Sequence, residues 1–175
     1  VMMIVLLAFG MAALTTSLAS YKLSQKNAEF SVRYYVLEEE ATRIRYELIR
    51  LIDEGMKQVG YEPTEKQEGI IRKEAAMKIY EDLLEYASLH EGMSVEKGFE
   101  HFEEFEDRNK SEIAKISYRV VLEEDLGRNL DIKLSLALPE ETKTILAEQI
   151  VQVENWSQWQ EGMGEIEETL FDDPF

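Results

Sequence analysis

The rhythm of apolar and polar positions changes several times along this chain. Residues Val1 to Tyr21 carry no charge, and neither glycine nor proline interrupts Met11 to Glu54. Crossing a bilayer as a helix takes about 20 apolar residues. The pattern therefore predicts one helix that starts in lipid over residues 1–21 and continues into water over residues 22–58, with a retained secretory signal, whose cleavage site Ala19-Ser20 could imitate, as the main rival reading. At about 1.5 Å per residue it would be on the order of 85 Å long. Beyond a polar stretch from Lys22 to Glu29, the residues Phe30, Tyr34, Leu37, Ala41, Ile44, Leu48, Leu51 and Gly55 fall alternately four and three apart. That 3.5-residue period marks a narrow apolar stripe on a helix. Glu38, Glu39, Glu40, Arg43, Arg45, Glu47 and Arg50 lie between its members and form a solvated face with helix-compatible charge pairs. Gly55, Gly60 and Pro63 are expected to end the helix.

A second helix is predicted from about Thr64 to Leu89, with Thr64 as cap, Gln67 in the capping-box position and Ile71, Ala75, Ile79, Leu83 and Tyr86 as its apolar face. Residues 91–109 are ambiguous; Gly92 and Gly98 punctuate them, and Val95, Phe99, Phe102 and Phe105 suggest a short amphipathic helix. The period then drops to two. Ala114, Ile116, Tyr118, Val120 and Leu122 alternate with polar partners, and Leu130, Ile132, Leu134, Leu136 and Leu138 do so again after a turn around Gly127. Two such runs predict an antiparallel hairpin. A third strand is expected from about Gln149 to Trp156. Residues 161–175 read as an acidic, flexible tail. The fold class expected is α+β: a long N-terminal helix packed on a small antiparallel sheet, with a helical variable region over residues 59–110 and the sheet over 111–160. The alternating Leu/Ile face needs a cover, and Tyr34, Ala41 and Gly55 are poor seam residues for a free-standing coiled coil.

Charge narrows the partners. With 36 acidic and 19 basic residues the formal net charge is −17, so the polar part repels phosphate backbones and nucleic acid is not an expected partner. The chain has no cysteine and two histidines, His90 and His101, which removes disulfides, thiolate chemistry and histidine-rich metal centres. His90-Glu91 begins like a zinc-helix motif, but position 94 is Ser94. The clusters Glu38–Glu40, Glu100–Asp107 and Glu123–Asp125 lack the Asp-x-Asp-x-Asp-Gly layout of a calcium loop and read as solvated faces. No nucleophile elbow or phosphate-binding glycine loop is present. No catalytic residue, cofactor or metal site is expected. Trp156 and Trp159 read either as the closure of a small core or as a binding platform.

The order of apolar helix, amphipathic extension, variable region and antiparallel meander resembles type IV pilin-like proteins, in particular minor pilins and pseudopilins. A local likeness adds to it: Asn27, then Tyr35, then Glu39 at the opening of the amphipathic half, within Asn27-Ala-Glu-Phe-Ser-Val-Arg-Tyr-Tyr-Val-Leu-Glu-Glu. The run before Glu39 is bulkier than the alanines usual in that group. The resemblance implies a leader removed by prepilin peptidase, storage in the membrane, and extraction into a filament through packing of apolar helices against other pilin-like subunits. It also implies an extracytoplasmic acidic domain and no enzymatic activity. Val1 is not an initiator methionine, which points to processing or truncation upstream. Charge does not fix topology: Lys22 and Lys26 favour a cytoplasmic C-terminal flank, and residues before Val1 would change the count. On this reading Val5, Leu6, Leu7, Phe9 and Leu14 serve anchoring and filament packing, while Phe30, Tyr34, Leu37, Ala41, Ile44 and Leu48 hold the second half of the helix to the sheet. The alternative is a membrane-tethered extracytoplasmic sensor or ligand-binding domain built around Trp156 and Trp159.

Overall fold

A computed structural model describes residues 2–63, 68–121, 128–140 and 147–160. Helix α1 spans Met2–Gln58. The chain divides into two compact units, Val1–Glu39 and Glu40–Phe175. Within its described residues the first unit is helix alone, and its apolar side chains from Met2 to Leu23 are exposed.

In the second unit α1 supplies one layer. Ala41, Ile44, Leu48, Ile52 and Met56 are buried. The sequence stripe ran on to Leu51, which is only half-buried; Ile52 and Met56 take the core positions instead. A strict 3.5 repeat drifts by about 20° per heptad on a straight helix, so the buried line moves one residue along by the second heptad. Gly55 does not end the helix. It sits inside α1, where a Cβ would lie 3.0 Å from Ile79 Cγ1; the missing side chain lets α2 approach. The stop comes at Gly60, whose φ of 70° is left-handed and suits glycine. There Tyr61 N–H donates to Met56 C=O at 2.9 Å and Gly60 N–H to Lys57 C=O at 3.2 Å. This is the Schellman pairing, with its apolar contact supplied by buried Tyr61 and Met56.

Helix α2 spans Gly69–Leu89 and buries Arg72, Ala75, Ala76, Ile79 and Leu83. It starts later than expected, after Glu68, which makes no side-chain cap bond; Thr64 and Gln67 lie outside the described residues. Part of the region read as an amphipathic helix is instead strand β1, Ser94–Lys97, followed by a 3-10 turn, Phe102–Glu106. The apolar spacing there serves an aromatic cluster rather than a helix face. Phe99 packs against Phe102 (4.4 Å between ring centres), Phe105 (5.1 Å) and Tyr80 of α2 (5.5 Å).

Strands β2 (Glu112–Val121), β3 (Arg128–Ala137) and β4 (Val151–Gln160) complete an antiparallel sheet of order β1-β2-β3-β4, and the fold is α+β. β4 follows a four-residue helix, α3 (Ala147–Ile150). The predicted alternation is the one that packs: Ala114, Ile116, Tyr118 and Val120 on β2, and Leu130, Ile132, Leu134 and Leu136 on β3, are all buried. Leu122 and residues 161–175 lie outside the described residues.

Candidate assembly surfaces

The two ends of α1 offer opposite chemistry. In the first unit Val5, Leu6, Leu7, Phe9 and Leu14 are exposed, Leu14 at 72%. One stretch of this helix is long and apolar enough to cross a membrane, and none of it is buried. Two of its hydroxyls bond back to the helix itself. Thr15 Oγ1 donates to Met11 and Ala12 carbonyls at 3.0 and 2.9 Å, and Thr16 Oγ1 donates to Ala12 C=O at 2.9 Å. Hydroxyls that bond back to their own helix carry little desolvation cost into hydrocarbon. Farther along, Phe30 is exposed, Tyr34 is half-buried and Leu37 is buried.

The second unit gathers Ala41, Ile44 and Leu48 into its core. Two polar contacts seat this part of α1 on the sheet. Tyr118 O–H donates to Ala41 C=O at 3.0 Å, and Arg45 Nη2 donates to Val151 C=O at 3.3 Å. Burial pushes the Tyr118 phenol above the ordinary tyrosine range and keeps it a donor. Between α1 and α2, Tyr86 O–H donates to Glu47 at 2.6 Å, while Arg43 bonds both Glu47 and Glu40. Burial first, then the Glu47 carboxylate, raises the Tyr86 phenol; the Arg43 hydrogen bond lowers the Glu40 carboxyl. His90 stacks on Tyr86 with ring centres 4.0 Å apart.

A buried cation that no sequence pattern marks ties the loops together. Arg72 is 2% exposed; Nη1 donates to Tyr61 Oη and Nη2 to Lys110 C=O, both at 3.0 Å, and Tyr61 O–H donates to Pro139 C=O at 3.0 Å. Arginine at that position of a helix pattern would be assigned to solvent. Only its tertiary partners reveal it.

The acidic cluster over residues 100–107 pairs with local cations and amides, and residues 123–125 lie outside the described residues. Glu103 and Glu106 bond Lys73 at 3.0 and 3.4 Å. Glu104 accepts the N–H groups of Glu100 and His101, both at 2.8 Å, and the His101 amide in particular lowers its carboxyl. Among the described residues no three His, Cys, Asp or Glu side chains converge to hold a metal ion. The sheet face away from the core carries an open polar hollow of about 550 Å³ lined by Ser94, Ser117, Arg119, Asp131, Lys133 and Asn155. Its central charges are self-neutralised, since Arg119 forks onto Asp131 at 2.6 and 3.2 Å. Trp156 is half-buried and pairs in register with Ile132 on the core side of the sheet; the Trp159 side chain lies outside the described residues.

Comparison of the chain with family models, with curated proteins and with solved structures finds no match in any of the three.

Proposed function

We propose that this protein is a structural subunit of a type IV pilus-like or pseudopilus filament, anchored in a membrane before assembly. One observation carries the reading. A single helix is uncharged and fully exposed over its first part, and from Ala41 onward it buries its stripe in a folded domain. In water the first part would aggregate; it needs either lipid or the equivalent helices of neighbouring subunits. The satisfied hydroxyls of Thr15 and Thr16 suit both surroundings. Among the described residues no three metal-ligating side chains converge, and the polar contacts of Tyr118, Arg45 and Arg72 hold elements together. The acidic domain would face the extracytoplasmic side, and the partners would be other pilin-like subunits.

The test is electron microscopy of filaments sheared from cells that express the native chain or Leu7→Asp. Asp at the centre of a membrane helix costs about 2.5–3.5 kcal/mol on insertion scales. The native chain is expected in the sheared filaments and Leu7→Asp is not. A native chain that stays wholly in the membrane fraction would contradict the proposal.

A further inference from the structure

The charge of this chain is divided along its length. Residues 1–37 hold three basic side chains, Lys22, Lys26 and Arg33, and one acidic, Glu29, a net of +2; the remaining 16 basic and 35 acidic residues give −19. Lys22 and Lys26 stand four apart, on one face of α1. Both are exposed, and neither makes an ion pair among the described residues.

The second unit carries a groove of matching chemistry. Between α1 and α2 lies an open trough of about 270 Å³ whose apolar lining includes Leu51, Tyr86 and Leu89 and whose acids are Glu54, Asp82 and Glu85. Among the described residues no basic side chain lines it. Leu89 is 76% exposed at its end. Asp82 is held by Lys78 at 2.6 Å and Glu54 by Arg50 at 3.5 Å, each from its own helix; Glu85 makes no ion pair among the described residues. An apolar floor under an acidic rim is what a lysine needs. Its methylenes lie along Leu51 and Leu89 while its ammonium reaches the carboxylates.

We propose that the Lys22/Lys26 face of one copy docks into the Leu51–Leu89 groove of a second copy. The inference rests on the filament reading, since that reading is what brings copies together with their α1 helices alongside one another. Its consequence is directional. The lysine face and the groove are different patches, so the contact is heterologous and propagates head to tail, whereas a self-complementary patch would close as a dimer. Opposite fields on the two patches also steer encounter and disfavour like-to-like pairing.

The chain has no cysteine, so single cysteines can be placed freely. Full-length Lys26→Cys and Glu85→Cys chains are purified separately, mixed in zwitterionic detergent micelles and oxidised. Leu14→Cys is run in parallel to report contact through the apolar helix. The expected result is a mixed Lys26–Glu85 disulfide at least tenfold above either homodimer at low salt. It should fall in 1 M salt, where the screening length shrinks to about 3 Å. Glu54→Lys/Glu85→Lys should lower self-association about tenfold, and Lys22→Glu/Lys26→Glu introduced into the second chain should restore it, with circular dichroism confirming that each variant is folded. Leu14 cross-links that persist while the reversal has no effect would overturn the inference and leave the filament reading standing. Absent Leu14 cross-links with a normal Lys26–Glu85 disulfide and rescue would do the reverse. If the lysine variants change behaviour only in vesicles containing anionic lipid, the lysines meet headgroups and the inference fails.

Discussion

Leu14 and Leu48 are the same side chain on the same helix with opposite assignments. Leu14 is 72% exposed and Leu48 is 0% exposed. Truncating Leu48 to alanine leaves a cavity in the domain and is expected to cost about 2–5 kcal/mol. Leu14→Ala should leave the domain's unfolding midpoint in denaturant unchanged, because among the described residues nothing covers it. Equal effects from the two substitutions would remove the division of α1 argued above. Tyr118 and Arg72 act differently at this scale. Each spends a polar atom on a backbone carbonyl distant in sequence; the neutral Tyr118 bond contributes about 0.5–1.5 kcal/mol and a bond from the charged Arg72 about 1.5–3 kcal/mol.

At the scale of elements, contact between α1 and α2 depends on Gly55. A Cβ there meets Ile79 at 3.0 Å, so Gly55→Val overpacks the interface. A loss of about 1–3 kcal/mol is expected, measured by thermal unfolding and relieved in part by Ile79→Ala. The 3-10 turn has a chemical dependence of its own. Glu104 binds two amides only as a good acceptor, and its carboxyl is lowered in the folded state. The unfolded chain therefore binds that proton more readily, and stability rises with pH across the interval. The benefit of Glu104 over Glu104→Ala should be complete near neutrality and vanish as pH falls through the folded value, below the ordinary carboxylate range. A melting-temperature difference between the two that persists in strong acid would contradict this.

The elements most legible in the sequence are those where one physical demand acts alone. The leucines and isoleucines of β3 alternate because one face of that strand is covered, and the uncharged start of α1 reads as apolar helix throughout. Strand β1 was not legible. Only Val95 of its four residues is even half-buried, so no alternation exists to detect, and the aromatic residues after it imitate a helical period. The α1 stripe was legible in its direction and lost register at Leu51, where a straight helix departs from a 3.5 repeat. Arg72 had no signal at all, since its partners come from residues 61 and 110. The candidate surface was legible as a stretch of apolar helix; the groove along α1 and α2 was not, because it exists only once both helices are placed.

At the scale of the whole molecule, an acidic domain follows a helix that cannot rest in water. Domains carrying many carboxylates repel one another, so in the proposed filament the apolar segment would drive assembly and local contacts would guide it. That arrangement suits a subunit stored in a membrane and then drawn into a filament. The most direct test of this account is the mature N-terminus of the full-length protein, read by mass spectrometry on membranes with and without prepilin peptidase. The account expects an N-terminus at the start of the apolar helix that is generated only where the peptidase is present. The same N-terminus in both membranes would contradict it and leave a tethered domain in place of a filament subunit.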